Sequence, residues 1–307
     1  MSDHAFFNKQ YMPLSEAKVG IMTHALNYGT ACFEGIRGNW NADENKMYIF
    51  RMEDHYVRLK KNCGLLKINI AYSVEELCQI TTKLAGMNNY KEDFYIRPMA
   101  YKSSEAVGVK LHGLEDDFFI FTVPFGPYLD IEKGAKCGVS SWRRVDDNMI
   151  PPRGKITGIY VNSAIAKTEA HENGYDEAIL LNQDGSVSEG SGENIFLIMD
   201  GKIHTPPASD NILLGITRDT VIKIAKNEMG IDTVQRSIAR SELYMADECF
   251  MTGTAAHLTP IIEIDHRKVG TGEAGEISKK LQKIYFDILQ GKNPDYMDWC
   301  TPVPVTG

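Results

Sequence analysis

Hydrophobic and polar positions along this chain repeat with two different periods. Over 94–101 (FYIRPMAY) the period is two, which puts Tyr95, Arg97, Met99 and Tyr101 on one face of a strand and Phe94 and Ile96 on the other. Residues 47–51 (MYIFR) read as a strand, and 117–125 as a further, largely buried one. Between them the period lengthens. Residues 53–66 carry Tyr56, Leu59 and Cys63 along one helical face. Ser73 and Glu76 have the spacing of a capping box ahead of a helix that presents Leu77, Ile80 and Leu84. The run PFGPYLD at 124–130, followed by Gly134, breaks the regularity. It predicts a small N-terminal α/β domain over 1–123, an interdomain loop over 124–136 and a larger C-terminal α/β domain over 137–307.

The second half is richer in hairpin signals. Asp184-Gly185 separates strands at 177–181 and 186–188, and Asp200-Gly201 separates strands at 194–199 and 202–204. Helices are predicted at 160–173, closed by Gly174, and at 217–229, closed by Gly230. Residues 248–252 (ECFMT) form a buried strand that runs into Gly253-Thr254-Ala255, and a last amphipathic helix covers 277–289. The hairpins argue against a doubly wound parallel sheet and for mixed α/β layers.

Composition narrows the function classes. The 307 residues leave room for about two domains. Lys plus Arg total 33 against 41 for Asp plus Glu, a net charge of −8, which disfavours a nucleic-acid partner. The apolar run at 118–123 is far below the ~18 residues of a membrane span. The first ten residues have neither the basic nor the apolar region of a signal peptide. Six scattered cysteines without a CxxC pair read as reduced thiols in a cytoplasmic protein. No HExxH string or Cys/His cluster supports a metal site.

Several glycine patterns invite chemistry. Gly270-x-Gly272-x-x-Gly275 matches the dinucleotide fingerprint, but the 32 residues beyond it read as one helix and an irregular tail, so a surface turn is expected. Gly190-Ser191-Gly192 resembles a nucleophile elbow only loosely and reads as a turn between strands. Gly215-Ile216-Thr217-Arg218 precedes a helix and could cradle a phosphate at its positive end; alternatively Thr217 is simply the N-cap. Thr252-Gly253-Thr254-Ala255-Ala256 follows a buried strand, where α/β proteins place ligand loops.

Five strings occur in one order: YGTACFEGIR at 28–37, Tyr95-Ile-Arg97-Pro98, Lys155 followed by Tyr160, SEGSGEN at 188–194, and Gly215-Ile-Thr-Arg218 with Gly253-Thr254-Ala255. Together they resemble a branched-chain amino-acid aminotransferase, a class IV, fold-type IV enzyme with the D-amino-acid aminotransferase-like fold and a pyridoxal phosphate cofactor. The resemblance runs from about Ala17 to about Leu289. It implies that Lys155 holds the cofactor as a Schiff base and moves the substrate's α-proton. It implies Glu189 beside the pyridine nitrogen, Tyr160 beside the phenolic oxygen, and Arg58, Ile216, Thr217 and Thr254 around the phosphate. Without it, Arg58 would read as an exposed helical arginine and Glu189 as a solvated turn residue.

For the substrates the resemblance implies Tyr95 and the Thr254-Ala255 backbone at the α-carboxylate, and Arg97 at the distal carboxylate of 2-oxoglutarate. Phe33, Tyr128 and Tyr160 form an apolar wall, and Arg37 joins the set. Tyr28, Val107 and Val109 resemble elements donated across a homodimer interface. Phe125, where relatives often carry tryptophan, and Arg153-Gly154 ahead of Lys155 depart from the pattern at positions that bear on side-chain preference. The expected reaction is transamination of leucine, isoleucine and valine with 2-oxoglutarate. A fold-type IV transaminase for (R)-amines or D-amino acids is the alternative, and a non-catalytic binding protein on the same fold is a rival from another class.

Overall fold

The period-two stretches fold into two sheets, of eight and nine strands among the described residues. The protein is represented by a computed structural model that describes residues 3–126 and 128–304. Its chain divides into two units: Met1–Gly126, Gly154–Gly158 and Asp287–Gly307 make unit 1, and Pro127–Arg153 with Ile159–Phe286 make unit 2. The mixed α/β architecture read from the hairpins is what the chain adopts.

Unit 1 begins with β1 (His4–Phe7), β2 (Gln10–Pro13), the short helix α1 (His24–Tyr28) and strands β3 (Ala31–Phe33), β4 (Ile36–Asn41) and β5 (Lys46–Phe50). Helices α2 (Met52–Leu65) and α3 (Val74–Asn88) follow, then the long strands β6 (Phe94–Lys102) and β7 (Asp116–Pro124). The helices sit where the longer period predicts them. Tyr56, Leu59 and Cys63 are buried on α2, and Leu77 and Leu84 on α3. The capping box forms: the Ser73 hydroxyl accepts from the Glu76 N–H at 3.1 Å, and the Glu76 carboxylate accepts from the Ser73 N–H at 2.7 Å. Strand β6 pairs antiparallel with β7 along its whole length, Tyr95 opposite Val123 and Arg97 opposite Phe121. Its other edge pairs with both β3 and β4.

Unit 2 holds β8 (Ala135–Arg143), α4 (Tyr160–Glu172), β9 (Glu177–Leu181), β10 (Val187–Gly190), β11 (Asn194–Met199) and β12 (Lys202–Thr205). Then come α5 (Ile216–Met229), β13 (Thr233–Gln235), β14 (Glu248–Gly253), β15 (His257–Ile264), β16 (Arg267–Lys268) and α6 (Glu276–Leu289), whose last three residues are assigned to unit 1. Both predicted hairpin turns form, with Gly185 at φ 88° and Asp200-Gly201 at 49° and 71°. The sheet is mixed: β8 runs parallel to both β9 and β15, whereas β11, β14 and β15 are antiparallel neighbours. Its core gathers Ile179, Leu181, Ile195, Leu197, Met251 and Ile261. The Gly270–Gly275 pattern lies in the turn between β16 and α6, as expected.

Two segments depart from the linear division predicted at 124–136. The final strand, β17 (Cys300–Val303), returns to unit 1 and pairs antiparallel with β5, Cys300 opposite Phe50. The Gly154–Gly158 segment also belongs to unit 1. Ile156 bridges Cys32, and the Thr157 hydroxyl donates to the Gly29 carbonyl at 2.8 Å. Neither short segment has a hydrophobic period of its own, so its partner is set by packing. No helix among the described residues is long and apolar enough to cross a membrane.

Candidate active site

Within unit 1, the candidates from three separate strings meet. Lys155 stands in the irregular stretch before α4, and its backbone carbonyl accepts from the Phe33 N–H at 3.0 Å. Its Nζ lies 5.0 Å from the centre of the Phe33 ring. The Arg97 guanidinium sits over the same ring at 4.4 Å and over the Tyr95 ring at 5.0 Å. Its Nη2 donates to the Tyr95 hydroxyl at 2.9 Å, and its Nε is buried with no hydrogen-bond partner among the described residues. The alternation of β6 therefore delivers Tyr95 and Arg97 to one face. Gly35 makes room for Tyr95, since a Cβ there would stand 2.2 Å from its hydroxyl.

Arg58 is not the exposed helical arginine that its position in α2 would suggest. Its side chain is 15% exposed and its Nε and Nη2 donate to the two carboxylate oxygens of Glu34, at 2.7 and 2.6 Å. His55, one helical turn earlier, meets Glu34 Oε2 at 2.7 Å. Burial works to raise the Glu34 carboxyl, but Arg58 and His55 together bring it down to about 2. His55 is likewise held below its ordinary value, by burial first, with the nearby cations Arg58 and Lys155 adding to the effect and Glu34 opposing it.

Arg37 is buried at the start of β4, where it donates to the Phe125 and Gly126 carbonyls at 2.9 and 3.2 Å and lies 3.6 Å from Asp93. Tyr28 and the 107–109 segment are brought together as well. The Gly108 N–H donates to the Tyr28 hydroxyl at 2.9 Å, and His24 Nε2 bonds the Gly108 carbonyl at 2.8 Å. Val107 and Val109 are 87% and 80% exposed, beside exposed Ile21, Met22 and Leu26.

Unit 2 carries the remaining candidates. Glu189 is buried at the end of β10, a strand position and not a solvated turn. Its Oε1 pairs with Arg144 at 2.7 Å; its Oε2 accepts from Asn194 Nδ2 at 3.0 Å and from the Leu213 N–H at 2.9 Å. Such a set of charge-assisted donors holds a carboxylate ionised and in one orientation. Glu193 nearby behaves oppositely. Burial and the neighbouring Glu177 push it up to about 8, so it is protonated at neutral pH.

Helix α5 starts at Ile216 with Gly215 as its N-cap, so Thr217 is not the cap but the second residue of the helix. A Cβ at residue 215 would fall 2.1 Å from Asn194 Oδ1, so only glycine fits there. The Asp219 N–H closes the first turn on the Gly215 carbonyl at 3.0 Å, and the N–H groups ahead of it form the positive end of the helix dipole, which suits an anion. Thr254 and Ala255 form the half-buried turn between β14 and β15. Tyr160 is the first residue of α4. Tyr128 is 43% exposed, with Lys167 Nζ 5.1 Å from its ring centre.

The donor set fits pyridoxal phosphate. Unit 1 carries a lysine amine beside an aromatic ring and a buried arginine suited to a phosphate, and unit 2 by itself carries an immobilised carboxylate suited to a pyridinium and a helix N-terminus suited to an anion. Sequence reading missed Glu34, His55, Arg144 and Asn194. Glu34 and Asn194 lie inside the FEGIR and SEGSGEN strings, so their signal was present; Arg144 and His55 have none.

The amino-transferase class IV family model matches residues 31–264. A probable branched-chain-amino-acid aminotransferase of Aquifex aeolicus is 52% identical over 98% of this chain and 97% of its own. The solved branched-chain aminotransferase of the archaeon Thermoproteus uzoniensis, with norvaline, superposes with a TM-score of 0.95 at 45% identity, covering 99% of this chain and all of that one. The solved branched-chain amino acid aminotransferase of Thermobaculum terrenum, in its PLP-bound holo form, gives 0.94 at 38% identity, covering 99% of each chain. The chain therefore belongs to the class IV aminotransferases, in the branched-chain-amino-acid aminotransferase family.

Proposed function

We propose that this protein transfers the amino group of leucine, isoleucine or valine to 2-oxoglutarate, using pyridoxal phosphate. The observation that carries the reading is the unit 1 cluster, in which Lys155 and Arg97 share the Phe33 ring and Arg97 engages Tyr95. Bound pyridoxal phosphate supplies an electron sink for the bonds at the substrate's α-carbon. The protein supplies position and protons. Lys155 Nζ would anchor the cofactor and, as a free amine, would take the substrate's α-proton and pass it on to the cofactor. Glu189, held by Arg144 and Asn194, would pair as a carboxylate with the pyridine nitrogen; Tyr160 would serve the phenolic oxygen; Arg58, Ile216, Thr217 and Thr254 would take the phosphate.

Tyr95 and the Thr254-Ala255 turn receive the α-carboxylate, with Phe33, Tyr128 and Tyr160 as the apolar wall. The Tyr95 oxygen accepts from Arg97, which leaves its O–H to donate to substrate. Arg97 answers the distal carboxylate of 2-oxoglutarate and glutamate. Arg37, through Phe125 and Gly126, fastens the loop start that borders the substrate position.

The working unit in this reading is a cytoplasmic homodimer or a multiple of it. The exposed apolar residues Ile21, Met22, Leu26, Val107 and Val109 support a covered face, and Tyr28 and Val109 would complete the partner's pocket. Absorption spectra before and after L-leucine, with glutamate formation from 2-oxoglutarate, test the activity. Equal or better turnover of D-alanine or (R)-1-phenylethylamine would overturn it.

A further inference from the structure

Arg58 does not set its own direction. The fully buried Glu34 grips two of its N–H donors in a bidentate pair, Nε to Oε1 and Nη2 to Oε2. Glu34 is fixed in turn. It follows directly on β3, its N–H donates to the Pro98 carbonyl at 2.9 Å, and His55 binds Oε2 from one turn earlier on α2. A carboxylate with no exposure is tolerated only where its partners replace the lost water, and here Arg58 and His55 do so. Its carboxyl accordingly lies at about 2, ionised at every working pH. A planar guanidinium held along one edge has a single orientation, and the rest of its donor fork then points in a fixed direction.

We propose that Glu34, braced by His55, is a positioning residue that aims the Arg58 guanidinium at the cofactor phosphate. This rests on the reading that Arg58 meets that phosphate. Orientation and charge pull in opposite directions here. A carboxylate near a phosphate repels it, so if charge alone mattered, neutralising Glu34 would tighten phosphate binding. If aim matters, neutralising Glu34 weakens it.

The test compares pyridoxal phosphate with pyridoxal, which lacks the phosphate, as ligands of the full-length protein freed of cofactor by dialysis. Binding is read from the change in protein fluorescence. Glu34→Gln is expected to weaken pyridoxal phosphate by about 10-fold or more, the usual scale for losing a partner that orients a ligand. Pyridoxal should change by less than about threefold, because the interaction lost acts only on the phosphate. In an Arg58→Gln background the same change should add no further phosphate-selective loss, since the guanidinium it orients is gone. Where Glu34→Gln fails to fold, His55→Asn takes its place, with a smaller phosphate-selective loss expected.

Equal losses for both ligands would make Glu34 structural and overturn the proposal. So would tighter or unchanged pyridoxal phosphate binding by a variant that keeps the wild-type melting behaviour. Arg58→Gln separates the two levels. If it weakens pyridoxal phosphate selectively while the Glu34 and His55 variants do not, only the positioning role fails. If Arg58→Gln is itself unselective, the assignment of Arg58 to the phosphate fails and the proposal with it.

Discussion

The Arg97 guanidinium donates to the Tyr95 hydroxyl at 2.9 Å, across two positions of one strand face. The pair couples a neutral donor to a fixed cation. Leucine has no distal charge, whereas 2-oxoglutarate brings a carboxylate that must lose its water. Arg97→Leu should therefore damage the 2-oxoglutarate half-reaction far more than the leucine half-reaction. Losing the partner of a buried charge costs about 3–5 kcal/mol, so the selective fall in kcat/KM is expected on the order of 10²-fold or more. Single-turnover rates of each half-reaction decide; equal losses would make Arg97 structural.

Lys155→Ala is expected to abolish turnover and the visible band of the lysine-linked cofactor. The residue is placed by Phe33 N–H and by the Ile156–Cys32 bridge, and both are backbone contacts that the substitution leaves intact. The variant should keep its melting temperature. Transamination at near wild-type rate would assign the anchoring amine elsewhere.

Glu189→Gln keeps the shape of the side chain but replaces an ionised group with an amide. The pyridine nitrogen then loses its charged partner, and activity is expected to fall by ~10²–10³, as when a preorganised electrostatic group is removed. Arg144 also loses its carboxylate, so the melting temperature should drop as well. Activity within about threefold of wild type would move the ring partner to another acid.

Two buried carboxyls give stability a pH profile with two limbs. Glu34 is lowered from 4.5 to about 2, so its contribution is complete above about 4.5 and is lost as pH falls towards 2. Glu193 is raised from 4.5 to about 8 by burial, then by Glu177, with Glu189 adding to the rise and Lys167 and the Gly192 N–H opposing it. The unfolded chain ionises Glu193 above 4.5 while the folded chain does not, so stability falls from about pH 4.5 to about 8. Urea midpoints across this range should show both limbs. Glu193→Gln should flatten the upper one; an unchanged slope would place its cause elsewhere.

The capping box offers a test outside the site. Ser73→Ala removes the hydroxyl that accepts from Glu76 N–H and is expected to cost about 0.5–2 kcal/mol without touching turnover. A loss of activity at unchanged stability would contradict the local role of that cap.

What the sequence determined by itself is local. The alternation at 94–101 put Tyr95 and Arg97 on one face, the apolar spacing of α2 and α3 marked their buried sides, and Ser73 with Glu76 announced a helix start. Each of these is an interaction among residues a few positions apart, so periodicity and cap chemistry encode it. The ordered strings added the family and its candidate residues, Lys155, Arg58 and Glu189 among them. Tertiary structure alone decided their settings. Glu34 reaches Arg58 and His55 across the two strands β4 and β5, Arg144 reaches Glu189 across a helix and a strand, and β17 returns to β5. Nothing in the neighbouring sequence of Arg58 distinguishes a solvated arginine from a clamped one. That difference arises because a buried carboxylate has to find a cation, and which cation is near depends on how distant segments pack.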